Sequence, residues 1–324
     1  MGSVSKHSLV SCNTIDGTSI WGWLYTVEGP APAIIMSHGV SSPVLDVSVL
    51  SWEAYSAAQF NCVKEMTLPE VAEAFHSEGY NVFIYDARSV GASGGEPRNL
   101  LNPLQMAEDL SDIYTYISGL PSVDSSRVVL WGMSFGGVVS ATSAAIDRRP
   151  KAIVMVCPLF SYVKPEKADK AYVQLIKDRV SQLRGNEPYS LPPFTSKGDN
   201  PIGFGGGGGP GGMEAYRLMK AASELGHPDF RDRITLQTYQ KLAMFRPKEY
   251  MDMIKAPVMM IIPELDDISP PAEQKEAFSR IKSPKEEYFA VGKGHLNIAT
   301  GDGSKEMIAA TLNFFRKALE GSLA

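Results

Sequence analysis

One serine stands where a buried-looking run turns sharply: Arg127-Val128-Val129-Leu130-Trp131-Gly132-Met133-Ser134-Phe135-Gly136-Gly137. The pattern G-x-S-x-G, preceded by β-branched residues and followed by small ones from Val138 to Ala145, predicts a strand-to-helix turn that lifts the Ser134 hydroxyl clear of a sheet. Glycine suits both flanks because such a turn is strained and brings backbone close to backbone. The chemistry open to a serine so presented is nucleophilic attack on an acyl carbonyl. The N–H of Phe135 beside it would serve as one oxyanion donor. A glycine-rich turn that happens to hold a serine would share the pattern, so the partners decide.

A serine nucleophile needs a base, and the chain has five histidines. His7 precedes the first strand, His38 lies in the turn Ser37-His38-Gly39, and His76 ends a helix. His227 comes before any later strand that could supply an acid. In the α/β-hydrolase chain order the sequence is nucleophile, acid, histidine, which leaves His295 in Gly292-Lys293-Gly294-His295. The acid must then lie between the apolar run ending at Pro263 and His295. Asp266 and its neighbour Asp267 both fall in Pro263-Glu264-Leu265-Asp266-Asp267-Ile268-Ser269-Pro270. Spacing favours Asp266 and leaves Asp267 as the competitor. A carboxylate there would fix the imidazole tautomer and stabilise the imidazolium. Asp86 and Arg88, on the turn after another apolar run, read as a hydrogen-bonded pair that shapes the site, with substrate contact as the alternative.

The elements that must position these residues follow from periodicity. Alternation around Asp16-Gly17 predicts an antiparallel hairpin over 8–26. Short apolar runs at 33–36, 80–85, 128–133, 152–156, 258–262 and 287–291 predict strands, with amphipathic helices near 68–77, 106–120 and 306–319 between and after them. Strand and helix in alternation mean a mostly parallel sheet covered by helices on both faces. The alternation lapses over 158–255, where helices are expected near 165–183, 214–225 and 235–245. Residues 1–157 and 256–324 thus read as an α/β core and 158–255 as an inserted helical cap. The glycine-rich stretch 203–212 inside it reads as a mobile, hinge-like loop.

The bulk composition narrows the function. A net charge of −5 with no basic cluster argues against a nucleic-acid surface. Cys12, Cys62 and Cys157 are odd in number and widely spaced, giving neither a disulfide framework nor a metal-ligand pattern. No apolar run reaches the length of a membrane span and the first residues lack an apolar signal core, so a soluble cytoplasmic protein is expected.

Read together, Ser37-His38-Gly39, Lys64-Glu65, Asp86-Ala87-Arg88, the Ser134 elbow and Gly292-Lys293-Gly294-His295 resemble α/β-hydrolases of the dienelactone-hydrolase and acyl-peptidase-like group. More closely, Phe60-Asn61-Cys62-Val63-Lys64-Glu65-Met66, Gly185-Asn186-Glu187-Pro188 and Pro263 to Pro271 resemble the fungal polyketide transferase and thiohydrolase family over nearly the whole chain. That resemblance implies a Ser134, Asp266, His295 triad that takes an acyl group from a polyketide-type thioester or ester and passes it to water or an alcohol. It implies no metal and no organic cofactor, and a small-molecule acyl substrate, free or delivered by a carrier protein or synthase. A general carboxylesterase and a hydrolase-fold binding protein are the competing readings. The chain departs from the family pattern at 40–59, twenty residues between the His-Gly turn and Phe60. A valine codon begins GT and a glutamine codon can end AG, so the segment is either a retained, frame-keeping intron or a genuine lid insertion. The second oxyanion donor would be Val40 in the long form and Phe60 in the short one.

Overall fold

The computed structural model describes residues 7–38, 62–66, 68–203, 209–224 and 230–323. Eight strands form one sheet: β1 (Ser8–Asn13), β2 (Ser19–Tyr25), β3 (Ala31–Ser37), β4 (Asn81–Tyr85), β5 (Val123–Met133), β6 (Ile153–Val156), β9 (Val258–Pro263) and β10 (Lys285–Ala290). The remaining two, β7 (Ser190–Leu191) and β8 (Ile234–Thr235), make a short antiparallel ladder of their own. The large sheet runs β1-β2-β4-β3-β5-β6-β9-β10. The β1–β2 hairpin joins it antiparallel through β2–β4, and every other neighbour is parallel.

The inner parallel strands β4, β6 and β9, and β3 and β5 over 33–37 and 128–133, are buried on both faces, which accounts for their apolar runs. The edge strand β10 is only partly buried and carries Lys285, Glu286 and Glu287. Alternate residues separate into two clusters. Ile34 and Met36 of β3, with Val129 and Trp131 of β5, pack against Val71 and Phe75 of α1 (Leu68–Ser77) and Phe314 and Phe315 of α8 (Gly301–Leu319). Ile35 and Leu130 face the other way, toward α2 (Pro103–Ser118) and α3 (Phe135–Ile146). The layers are helix, sheet, helix, and the chain has the α/β-hydrolase fold. No helix among the described residues is long and apolar enough to cross a membrane.

Between β6 and β9 the chain forms α4 (Ala168–Leu183), α5 (Pro210–Glu224) and α6 (Leu236–Met244). Apolar side chains from all three, Leu175, Met219 and Leu242 among them, belong to the same cluster as the α2–α3 side of the sheet. Polar ties join this segment to the loop after β4. Asn99 donates to the carbonyls of Arg231 and Arg233, and the Leu101 N–H donates to Thr238 Oγ1. Sequence periodicity missed β7 and β8, since two-residue strands are too short to alternate. It also began α5 late, at 214 rather than 210. Pro210 suits a first helical turn, and Asp267 Oδ2 accepts the N–H of Gly211 there at 3.0 Å. Of the glycine-rich stretch, 204–208 lie outside the described residues. The described flanks are closely packed: a Cβ on Gly209 would lie 2.7 Å from Asp267, and one on Gly203 2.5 Å from the Lys167 side chain. Helix α7 (Pro271–Arg280) lies between β9 and β10.

Candidate active site

Ser134 occupies the junction of β5 and α3 with φ 53° and ψ −119°, a conformation a non-glycine residue holds only when its surroundings impose it. Those surroundings are specific. The Ser134 N–H donates to Val156 O at 2.7 Å, and the Ser134 carbonyl accepts from Gly137 and Leu159. Gly132 and Gly136 are required by space: a Cβ on Gly136 would strike the carbonyls of Ser37 and His38, and one on Gly132 would lie 2.5 Å from the Gly136 carbonyl carbon. The elbow therefore fits only against the end of β3. Phe135, the first residue of α3, is fully buried and meets Tyr162 edge-on.

The three residues singled out by chain order meet at the carboxyl ends of the strands. His295 Nε2 lies 2.8 Å from Ser134 Oγ, and His295 Nδ1 lies 2.8 and 2.9 Å from the two Asp266 oxygens. Ser134 is 0% and His295 2% exposed, so the relay sits in a buried, low-dielectric setting. Asp266 is held as an acceptor by the backbone N–H groups of Ile268 and Ser269 at 3.0 and 2.7 Å and by Gln274 Nε2 at 3.0 Å. Ser269 in turn donates to Pro158 O, which ties the acid loop to the segment leaving β6. With Nδ1 donating to Asp266, Nε2 is left as the acceptor for the serine proton, the tautomer a general base needs. Burial pulls the His295 pKa down, but the Asp266 carboxylate outweighs it and holds the imidazole above its ordinary value.

Asp267 points elsewhere. It is exposed and engages the start of α5, so one of the two adjacent carboxylates faces the histidine and the other a helix N-terminus. Asp86 and Arg88 are not paired with each other. Asp86 accepts from the Lys64 N–H at 2.6 Å, from Lys64 Nζ at 2.9 Å and from the Ala92 N–H at 2.8 Å. Arg88 instead joins Asp16 and Asp109, bridging the β1–β2 turn to α2. The site-shaping pair is thus Asp86 with Lys64, whose ammonium is kept charged because Asp86 and Glu65 outweigh the effect of burial. The pairing crosses 22 positions and has no local sequence signature.

Three further residues were not singled out for the site. Gln274 clamps the acid, and its place on α7 shows only in three dimensions. Cys157, with φ 39°, sets Sγ 3.5 Å from the His295 carbonyl and 4.0 Å from Nε2. Burial raises its pKa, so it stands there as a thiol rather than a second nucleophile. His38 follows β3, and both of its ring nitrogens are buried without a partner among the described residues. Burial, then the Lys64 charge, lowers its pKa to about 3, so the ring is neutral. Val40 and Phe60, the two candidates for the second oxyanion donor, lie outside the described residues. Cys157, Asp266 and His295 are the one group among the described residues with donor atoms close enough to share a metal, all within 4.8 Å. Both His295 nitrogens are already engaged by Asp266 and Ser134, so the set is not open to an ion without dismantling the relay.

The chain is similar to known proteins over nearly its whole length. Residues 66–295 match the family model described as serine aminopeptidase, S33. A thiohydrolase of Eupenicillium brefeldianum is 37% identical over 314 residues, covering 96% of this chain and 94% of the relative. The polyketide transferase af380 of Aspergillus fumigatus is 35% identical over 310 residues, with 95% and 97% covered. The solved structure of DcsB in complex with its substrate analogue superposes with a TM-score of 0.87 at 54% identity, covering 97% of this chain and 99% of that one. The chain therefore belongs to the serine aminopeptidase S33 family of α/β-hydrolases, in the company of the fungal thiohydrolases and polyketide transferases, and is a hydrolase or acyltransferase of the serine type.

Proposed function

We propose that the chain removes an acyl group from a polyketide-type thioester or ester onto Ser134 and passes it to water or an alcohol. The observation that carries this reading is the unbroken hydrogen-bond line from Ser134 Oγ through His295 to Asp266. As Ser134 Oγ bonds to the acyl carbon, its proton moves to His295 Nε2. The tetrahedral oxyanion then collapses, the thiol or alcohol leaves with that proton, and acyl-Ser134 remains. The incoming water or alcohol gives its proton to His295 and attacks the ester carbonyl, and Ser134 recovers the proton as the product departs. Asp266 fixes the ring and stabilises the imidazolium in both halves. The N–H of Phe135 is assigned as one oxyanion donor, on its position directly after the nucleophile. The polyketide nature of the acyl group rests on the names of the relatives, and a cytoplasmic setting on three buried cysteines that remain free thiols.

Intact mass spectrometry after mixing with a panel of acyl thioesters tests the reading. An acyl-sized mass increase that maps to Ser134 and is missing in Ser134→Ala is expected. Turnover with no serine adduct, at a rate unchanged in Ser134→Ala, overturns it.

A further inference from the structure

Helix α4 carries apolar side chains on two faces. Ala171 and Leu175 are buried in the fold, as expected of a surface helix with one apolar stripe. On its outer side Val173, Ile176, Val180 and Leu183 are 52%, 56%, 41% and 83% exposed. Their steps of three, four and three residues repeat the a and d positions of a heptad, which places them in one seam along the helix. Among the described residues nothing covers this second stripe.

Basic residues dominate the flanks of the seam, and Asp169, in the first turn of α4, is the one exposed carboxylate in line with it. Lys170, Lys177 and Arg184 fall seven residues apart along one side, and Arg179 lies on the other. All four are exposed, and Lys170, Lys177 and Arg184 have no ion pair among the described residues, in a chain whose net charge is −5. Such flanks choose a partner. A second copy docking helix to helix would set Lys170, Lys177, Arg179 and Arg184 against like charges along most of the seam, with only Asp169 to offset them, an arrangement that destabilises a seam. A bilayer-binding helix presents several large aromatic and leucine side chains over a broad face, whereas this seam has β-branched residues at three of its four positions and one aromatic, Tyr172, at its edge. The matching surface is a helix with its own apolar stripe and carboxylates along the edges.

We propose that the outer face of α4 docks an acidic, apolar-striped helix of the protein that delivers the acyl group as a thioester. What that partner carries rests on the acyl-transfer reading above. The placement suits it: α4 rises from the segment that leaves β6 beside Cys157, and Pro158 of that segment accepts the Ser269 hydroxyl of the acid loop. A carrier seated on α4 would stand on the same segment that adjoins the triad.

The test compares one acyl group in two forms, on an acyl-carrier domain of a polyketide synthase and on the small thiol N-acetylcysteamine. The variants are Ile176→Glu and the pair Lys177→Glu with Arg184→Glu, with thermal unfolding checked against wild type. Anisotropy of the fluorescently labelled carrier domain measures docking whether or not turnover occurs. Each variant is expected to weaken carrier binding and raise KM for the carrier-bound substrate at least about tenfold, with kcat/KM for the small thioester within about twofold of wild type. Loss of carrier binding in the variants upholds the docking surface even if no serine adduct forms, in which case the acyl-transfer reading alone falls. Equal carrier binding by wild type and variants overturns the proposal. So does binding to phosphatidylserine vesicles, or dimerisation in sedimentation equilibrium, that the same substitutions abolish.

Discussion

Two buried carboxylates stand at the carboxyl ends of strands, Asp86 after β4 and Asp266 after β9, and they are built alike. Asp86 is 0% and Asp266 4% exposed, and each accepts two backbone N–H groups, Asp86 from Lys64 and Ala92 and Asp266 from Ile268 and Ser269 of its own loop. Asp86 then meets Lys64 Nζ at 2.9 Å, and Asp266 meets His295 Nδ1 at 2.8 Å. The difference lies in the partner. A lysine so paired keeps its proton throughout the working pH range, so the pair is a fixed anchor for the chain at 62–66. A histidine releases its proton near neutrality, so the same construction becomes a base. Burial of the acid is common to scaffold and chemistry; the proton affinity of its partner separates them.

The comparison is broken most severely at Asp266. Ser134→Ala and Asp266→Asn are each expected to lower kcat by on the order of 10⁴-fold with an activated acyl ester. Unfolding monitored by circular dichroism should show that Ser134→Ala retains its fold. A rate for Asp266→Asn within tenfold of wild type would remove Asp266 from the relay. At Asp86 the effect should appear in stability. Asp86→Ala leaves the Lys64 ammonium buried with only Glu65 beside it, and a loss of about 3–5 kcal/mol is expected from urea unfolding. Adding Lys64→Met should recover part of that loss, because the stranded charge is then gone. Recovery of nothing would mean that backbone anchoring, rather than charge, is what Asp86 supplies.

A pH profile sharpens the contrast. His295 acts as a base only when its Nε2 is unprotonated, so a raised pKa moves the acid limb of kcat/KM above the ordinary histidine value of about 6.5. In Asp266→Asn burial remains and the larger raising cause is removed, leaving only Cys157 to raise the pKa, so the limb of the residual activity should shift to lower pH. A limb that stays in place would assign it to another group. The smallest effect is expected next door: Asp267→Asn should leave kcat within about twofold and cost roughly 0.3–1 kcal/mol of stability, the range for a charge at a helix N-terminus.

These pairs also show what the sequence could convey. Ser134 and His295 were legible because an elbow motif and a fixed chain order specify them locally. Asp266 was legible only to within one residue, since a loop carboxylate takes its role from the direction of its side chain. The alternating strands and most helices followed from burial on two faces of one sheet. The partner of Asp86, the clamp from Gln274 and the thiol of Cys157 beside His295 depend on contacts between elements distant in the chain, which no local pattern encodes. The two-residue strands β7 and β8 were too short to carry a period. The segment 40–59 lies outside the described residues, and its origin is a question about the message. Mature transcripts lacking those twenty codons are expected if it is an intron, and their presence in every transcript would establish a true insertion.

The order in which the triad residues occur has a consequence for the protein while it is being made. Ser134 precedes His295 by 161 positions, and the base follows β10, the last strand of the sheet. A chain leaving the ribosome exposes the nucleophile strand long before the residue that activates it. Under the proposed relay, Ser134 is an ordinary hydroxyl until β10 pairs with β9, too weak a nucleophile to attack a thioester. On that reading nascent chains, and any chain terminated before residue 295, leave the acyl thioesters around them intact, and reactivity arises only when the sheet is complete.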